Sequence, residues 1–287
     1  MRMSTRTTYL LRAGVALTLA FIYIPLIVIG IYAFSSATTL KWPPPGFTLE
    51  WFGKAFDNPG ARDAFLTSIK VGLIATLLAL VLGTLASLAV ARHRFFGRET
   101  ISFLVILPIA LPGIVTGIAL NSTFSQVLGI DLSLFTVVVA HATFCIVVVY
   151  NNAVARLRRT SASFEEASAD LGADPWQTFR RVTVPTMRTA LVAGALLAFA
   201  LSFDEIIVTT FTIAAGDQTL PIWFFTNFAR PANLPIVNVV ALFVIVASMI
   251  PVYLAHRLTR DEEGAAGARG GGAIAGGDAA AEATAAP

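Results

Sequence analysis

The chain has 287 residues, of which 56% are hydrophobic and 13% charged, and its net charge is +3. Soluble domains carry about 25% charged residues, so this composition excludes an ordinary soluble fold. The basic residues form no single nucleic-acid patch, and the one cysteine, Cys145, excludes an intrachain disulfide.

A bilayer core about 30 Å thick is crossed by roughly 20 apolar residues in a helix. Uncharged stretches of at least that length run over 13–34, 71–91, 101–130, 132–155 and 231–255. A sixth, 189–216, is interrupted only by Asp204 and Glu205. The expectation is an all-α integral membrane protein with six transmembrane helices. Arginines gather at the N-terminus (Arg2, Arg6, Arg12), in 92–100 (Arg92, Arg94, Arg98), in 156–188 (Arg156, Arg158, Arg159, Arg180, Arg181, Arg188) and after the last span (Arg257, Arg260). The opposite side holds Lys41, Lys54, Arg62, Arg230 and, at its edge, Lys70. Positive charge near short loops favours the cytoplasmic side, so both termini are expected there.

In chain order, residues 1–64 read as an anchor span and an external loop. The first apolar run is longer than a signal-peptide core and lacks a convincing cleavage site, so an uncleaved anchor is expected. Pro43, Pro44 and Pro45 keep the loop locally extended. Phe47, Trp51, Phe52 and Phe56 suit a short interfacial helix, either an aromatic anchor or a contact for an external partner. Span two, about 66–91, ends at the basic turn Arg92–Arg98. Span three contains Pro108 and Pro112, which free backbone carbonyls and kink the helix. A transport pathway and a simple packing kink both accommodate that.

Span four carries His141 and Cys145, four residues apart and on one helix face. Two ligands are too few for a metal site, so a packed histidine and no metal are expected. Span five holds Asp204, which at ~1.5 Å per residue falls ~21 Å from its cytoplasmic start. Lys70 sits at a comparable depth, which allows an ion pair with one carboxylate. The other carboxylate is then expected to line an external vestibule for a cationic solute, since intramembrane acids face cavities or partners. After the last span, 235–256, residues 258–287 are rich in Gly and Ala and are expected to be disordered.

The loop 156–188 is the most specific segment. Ser163 and Glu166 have capping-box spacing, which predicts a helix beginning after Ser163. Gly172 is placed to end it in a left-handed conformation. Asp174, Pro175 and Gln177 then predict a second capped helix, with Trp176, Phe179 and Val182 on one face. Pro185 is expected to close the segment before span five. Two capped helices around a glycine elbow, with an apolar face exposed, point to a docking surface for another protein.

Glu166-Ala167-Ser168, Gly172, Val182, Val184 and Pro185 match the spacing of the EAA motif of ABC importer permeases. Ser168, Val182 and Val184 are mild departures, and Thr189 stands where family members often carry a further proline. The chain therefore resembles that family over about 65–257, with a MetI-like transmembrane fold. The resemblance implies that Glu166, Ala167, Ser168, Gly172 and Pro185 belong to a coupling helix seated in an ATPase subunit. Residues 201–211 (LSFDEIIVTTF), Leu220-Pro221 and Asn238-Val239 are similar to spermidine/putrescine-type permeases. Related permeases for ferric iron, thiamine or amino-acid-like solutes share parts of this pattern, and a secondary transporter is a further alternative.

No phosphate loop of the Gly-x-x-x-x-Gly-Lys-Ser/Thr type is present, because none of the three lysines precedes Ser or Thr. No zinc-protease or nucleophile-elbow motif occurs. A non-enzymatic subunit is expected, with no cofactor of its own and with ATP bound by a partner ATPase dimer. The resemblance also implies a second homologous permease and a periplasmic or lipid-anchored solute-binding protein. The expected location is the bacterial inner membrane, with several passes.

Overall fold

A computed structural model of the protein describes residues 5–250 and Tyr253. Among them, helices dominate and the one extended pairing is an isolated bridge between Ser35 and Phe47. The elements in order are α1 (Thr5–Ala33), α2 (Glu50–Phe56), α3 (Pro59–Arg92), α4 (Arg98–Ala110), α5 (Gly113–Ser122) and α6 (Leu134–Arg159). Then follow α7 (Ser163–Asp170), α8 (Pro175–Thr178), α9 (Val184–Phe203), α10 (Ile207–Thr212), α11 (Leu220–Phe228) and α12 (234–250). Five helices are long and apolar enough to cross a bilayer, and α4 with α5 form a bent pair that makes a sixth when counted as one span. The all-helical membrane fold expected from hydropathy is therefore found, with five spans or six when the bent pair is counted as one. The expected disordered tail, 258–287, lies outside the described residues.

Proline sets the break in the third span. α4 ends at Ala110, Leu111 is extended at φ −84° and ψ 143°, and α5 restarts at Gly113. The residue before a proline is pushed out of the helical region, so Pro112 interrupts the span. Pro108 is carried inside α4.

The described residues divide into two compact units. The first contains residues up to Gly72, Gly113–Ala140 and Phe203–Ala247. Ala61, Ala64, Leu220, Trp223 and Val237 form one of its cores, joined by Phe65 and Phe203. The segment between the fifth and sixth apolar stretches thus holds the helix α11. Leu220 and Trp223 are buried, and the Leu220 N–H donates to the Ser68 hydroxyl of α3 at 2.8 Å. The aromatic helix α2 forms as expected. The Trp51 indole N–H donates to the Ser35 carbonyl at 2.9 Å, and Phe52 packs on Phe34 at 5.0 Å.

The second unit contains Leu73–Pro112, His141–Ser202 and residues from Ser248. Here α3 and α9 both lean on α6 through glycines. A Cβ added at Gly83 would meet the Ile146 carbonyl and the Val149 Cβ at 3.0 Å. Gly194 faces Val149 more loosely, at 3.4 Å. Small residues let membrane helices approach closely enough for dispersion contacts to hold them. His141 is buried, with Nδ1 2.7 Å from the Ser202 hydroxyl, and the Cys145 thiol donates to the Ala198 carbonyl at 3.3 Å. Both side chains of the predicted face therefore pack toward α9.

Candidate functional site

The elbow forms between α7 and α8. Gly172 has φ +81°, a conformation that costs any residue with a Cβ and costs glycine little. Asp174 accepts from the Gln177 N–H at 2.8 Å, and Gln177 Oε1 accepts from the Asp174 N–H at 3.3 Å. The second capping box is thus complete, with Pro175 at the first helical position. The first box is corrected. α7 begins at Ser163 itself, whose N–H donates to the Ser161 hydroxyl at 3.2 Å. Ser163 is already inside the first turn, so it cannot serve as the residue preceding it.

Pro185 also departs from expectation. The helix from Pro175 runs without a break to Phe203. Residues Phe179–Thr183 form a π-turn just before Pro185. A proline has no N–H for the carbonyl four residues back and clashes with it. The wider turn provides a route past that clash, so the chain enters the fifth span in a continuous helix.

The surface of the elbow is apolar at its tip. Leu171, Trp176 and Phe164 are 89%, 65% and 60% exposed. Trp176 stacks on Phe179 with ring centroids 5.5 Å apart, while Val182 is half-buried. Glu166 and Ala167 are exposed; Ser168 is half-buried and its hydroxyl lies 3.0 Å from that of Thr178, tying α7 to α8. Pro185 is exposed on the helix that follows.

Asp204 and Glu205 do not lie within a helix. α9 ends at Phe203, residues 204–206 are unwound, and α10 restarts at Ile207. Glu205 accepts the Val208 N–H at 2.8 Å, and its carbonyl accepts the Thr209 hydroxyl at 2.9 Å. Glu205 is half-buried, whereas Asp204 is exposed and has no side-chain partner among the described residues. The ion pair with Lys70 that their similar depths allowed does not form. Lys70 is exposed, and among the described residues the ion pairs are Arg92–Glu165 and Lys54–Glu50. The helix is continuous up to Phe203, but the unwinding at 204–206 gives both acids side-chain directions that a continuous helix would not.

α10 is held firmly after the break. The Asn121 amide donates to the Phe211 carbonyl at 2.6 Å, and the Thr136 hydroxyl donates to the Thr212 carbonyl at 2.7 Å. Gly117 is bare because a Cβ there would stand 2.7 Å from the Phe211 ring. Sequence reading missed Asn121 and Thr136, whose partners are backbone carbonyls remote in the chain. Such pairings leave no local spacing signal.

A helical membrane core with a capped, apolar-tipped elbow and an unwound acidic segment in one span defines a transmembrane transport subunit. The chain belongs to the family described as binding-protein-dependent transport system inner membrane component, which matches residues 79–262. It is thus a multi-pass inner-membrane component of an ABC transporter. It is 30% identical over 253 residues to the spermidine/putrescine transport system permease protein PotC of Haemophilus influenzae, covering 88% of this chain and 97% of the relative. It is 31% identical over 245 residues to the putrescine transport system permease protein PotI of Escherichia coli, covering 83% and 86%. A Salmonella paratyphi A permease named for 2-aminoethylphosphonate transport, PhnV, is 33% identical over 79% of this chain and 88% of its own. Among solved structures, a bacterial ABC transporter that imports alginate aligns with a TM-score of 0.67 at 19% identity, covering 91% of this chain and 99% of that one. A methionine ABC transporter aligns at 0.57 with 16% identity, covering 75% and 98%. These likenesses establish the fold.

Proposed function

We propose that this chain is the permease subunit of a binding-protein-dependent importer for polyamines of the spermidine and putrescine class. It forms half of the translocation path. A separate ATPase dimer binds ATP and receives the elbow, with Glu166, Ala167, Ser168, Gly172 and Pro185 in the coupling segment. A solute-binding protein delivers cargo from the outside, and a second permease completes the path. The observation that carries the solute reading is the similarity to two polyamine permeases over more than four-fifths of this chain. Asp204 supports it, because an exposed carboxylate in an unwound segment offers a counter-charge to a passing ammonium group. A second reading, 2-aminoethylphosphonate, rests on the PhnV relative and shares a primary ammonium with the polyamines.

The test is uptake of labelled putrescine and spermidine by cells lacking their own polyamine importers and expressing the complete transporter. Uptake that requires ATP, and that unlabelled polyamine suppresses while 2-aminoethylphosphonate, ferric iron and thiamine do not, is the expected result. ATP-dependent uptake of labelled 2-aminoethylphosphonate with no polyamine uptake would transfer the assignment to the second reading.

A further inference from the structure

Two adjacent acids at the start of α7 face different ways. Glu166 is exposed and open to a partner. Glu165 turns inward, and its carboxylate meets Arg92, the last residue of α3. Arg92 Nε donates to Oε1 at 3.2 Å and lies 3.1 Å from Oε2. Both terminal nitrogens of Arg92 donate to the Thr160 carbonyl at 3.4 Å, just past the end of α6. The Thr183 hydroxyl, at the end of the π-turn, donates to Glu165 Oε1 at 3.2 Å. One ion pair therefore touches α3, the end of α6, α7 and the helix that becomes α9.

The setting makes this pair more than a surface contact. The Arg92 and Glu165 side chains are 17% and 25% exposed. Below them, Ala153, Leu157 and Met187 are buried against Leu88, Ala91 and Leu191. Exposed ion pairs contribute little. A part-buried pair with satisfied hydrogen bonds fixes geometry, because losing one partner strands the other. The guanidinium fork suits this task, since its donors reach two acceptors at once. That cluster is drawn from α3, α6 and α9 and contains no residue of α7, so the polar contacts of Glu165 join α7 to it.

We propose that Arg92 and Glu165 form an intrasubunit latch that fastens α7 to the cytoplasmic ends of α3 and the α8–α9 helix. A displacement imposed on the elbow then moves these spans as one body. Arg92 and Glu165 are positioning residues; neither touches the solute. The inference rests on the reading of the elbow as the ATPase-coupled segment.

The experiment uses the complete transporter in proteoliposomes, with its ATPase and binding protein. Two readouts are taken: putrescine moved per ATP hydrolysed, and the ATP-driven change in thiol labelling at Asp204→Cys in a Cys145→Ser background. The second needs no cargo. For Arg92→Gln and Glu165→Gln, assembly and basal ATP hydrolysis persist while both readouts fall about fivefold. The double variant is no worse than either single one, as expected of residues acting as a unit. Where the glutamine variants do not assemble, Arg92→Cys with Glu165→Cys is joined by a short reversible thiol cross-linker. The linked transporter couples, and the same sample after reduction does not. Unchanged coupling in both single variants, multiplicative losses in the double variant, or equal coupling in linked and reduced samples would overturn the latch. If the unaltered transporter moves no putrescine, the cargo assignment fails and the labelling readout still decides the latch.

Discussion

At the scale of residues, Gly172 and Asp204 carry separable demands. No atom lies within 4 Å of a Cβ added at Gly172, so space is not limiting there; the positive φ is. Gly172→Val should therefore lower uptake several-fold by distorting the elbow, whereas Gly172→Asn, which tolerates the left-handed region, should retain most of it. Uptake assays with membrane levels checked by immunoblot decide this, and equal activity of both variants would remove the conformational argument. For the acidic segment, Asp204→Asn should raise the half-saturating polyamine concentration with insertion unaffected. Glu205→Ala should instead impair folding of the break, because it removes the acceptor of the Val208 N–H. Lys70→Met should leave uptake near normal, since Lys70 pairs with neither carboxylate. Saturation curves for the three variants separate these roles. Gly172, Asp174 and Gln177 were legible in the sequence because caps and left-handed turns are local. Glu165 and Arg92, 73 residues apart, were not, because a tertiary ion pair leaves no mark in spacing.

At the scale of elements, hydropathy located the spans but not their interruptions. A window of apolar residues reports that a segment can enter lipid, and it is blind to where the hydrogen-bond ladder is broken. Pro112 falls at a break in a span, whereas Pro108 and Pro185 lie within continuous helix, the latter just after a π-turn. The glycines of α3 and α9 that face α6 yield a graded prediction. Gly83→Ala forces a Cβ to 3.0 Å from the Ile146 carbonyl and Val149, where backbone must yield, and should destabilise by about 1–3 kcal/mol. Gly194→Ala makes ordinary contacts at 3.4 Å and beyond, and should leave stability unchanged or raise it by up to about 1 kcal/mol. Thermal denaturation of the purified protein in detergent is the measurement. Equal losses at both positions would contradict the packing described. Gly117→Val should separate α5 from α10 and reduce uptake, because Phe211 occupies the space its side chain needs.

At the scale of the whole molecule, α1 has no buried residue across its apolar window, while α6 buries 61% of its own. An uncovered apolar window is supplied with contacts by lipid or by another chain, and the proposed second permease is such a chain. A functional complex purified with this permease and an ATPase alone would contradict the paired arrangement; co-purification of a distinct permease is expected. The unbroken helix Pro175–Phe203 has a last consequence, for how such proteins drift over time. Its 29 residues form a strut of roughly 43 Å that joins the elbow to the acidic break. Inserting one residue along it would lengthen the strut by ~1.5 Å and rotate its far end by ~100°. Loops absorb such length changes, but a strut converts them into an azimuthal error at Asp204. Lineages descended from this sequence should accordingly gain and lose residues in 35–49 and 213–219, and keep the count between Pro175 and Asp204 unchanged.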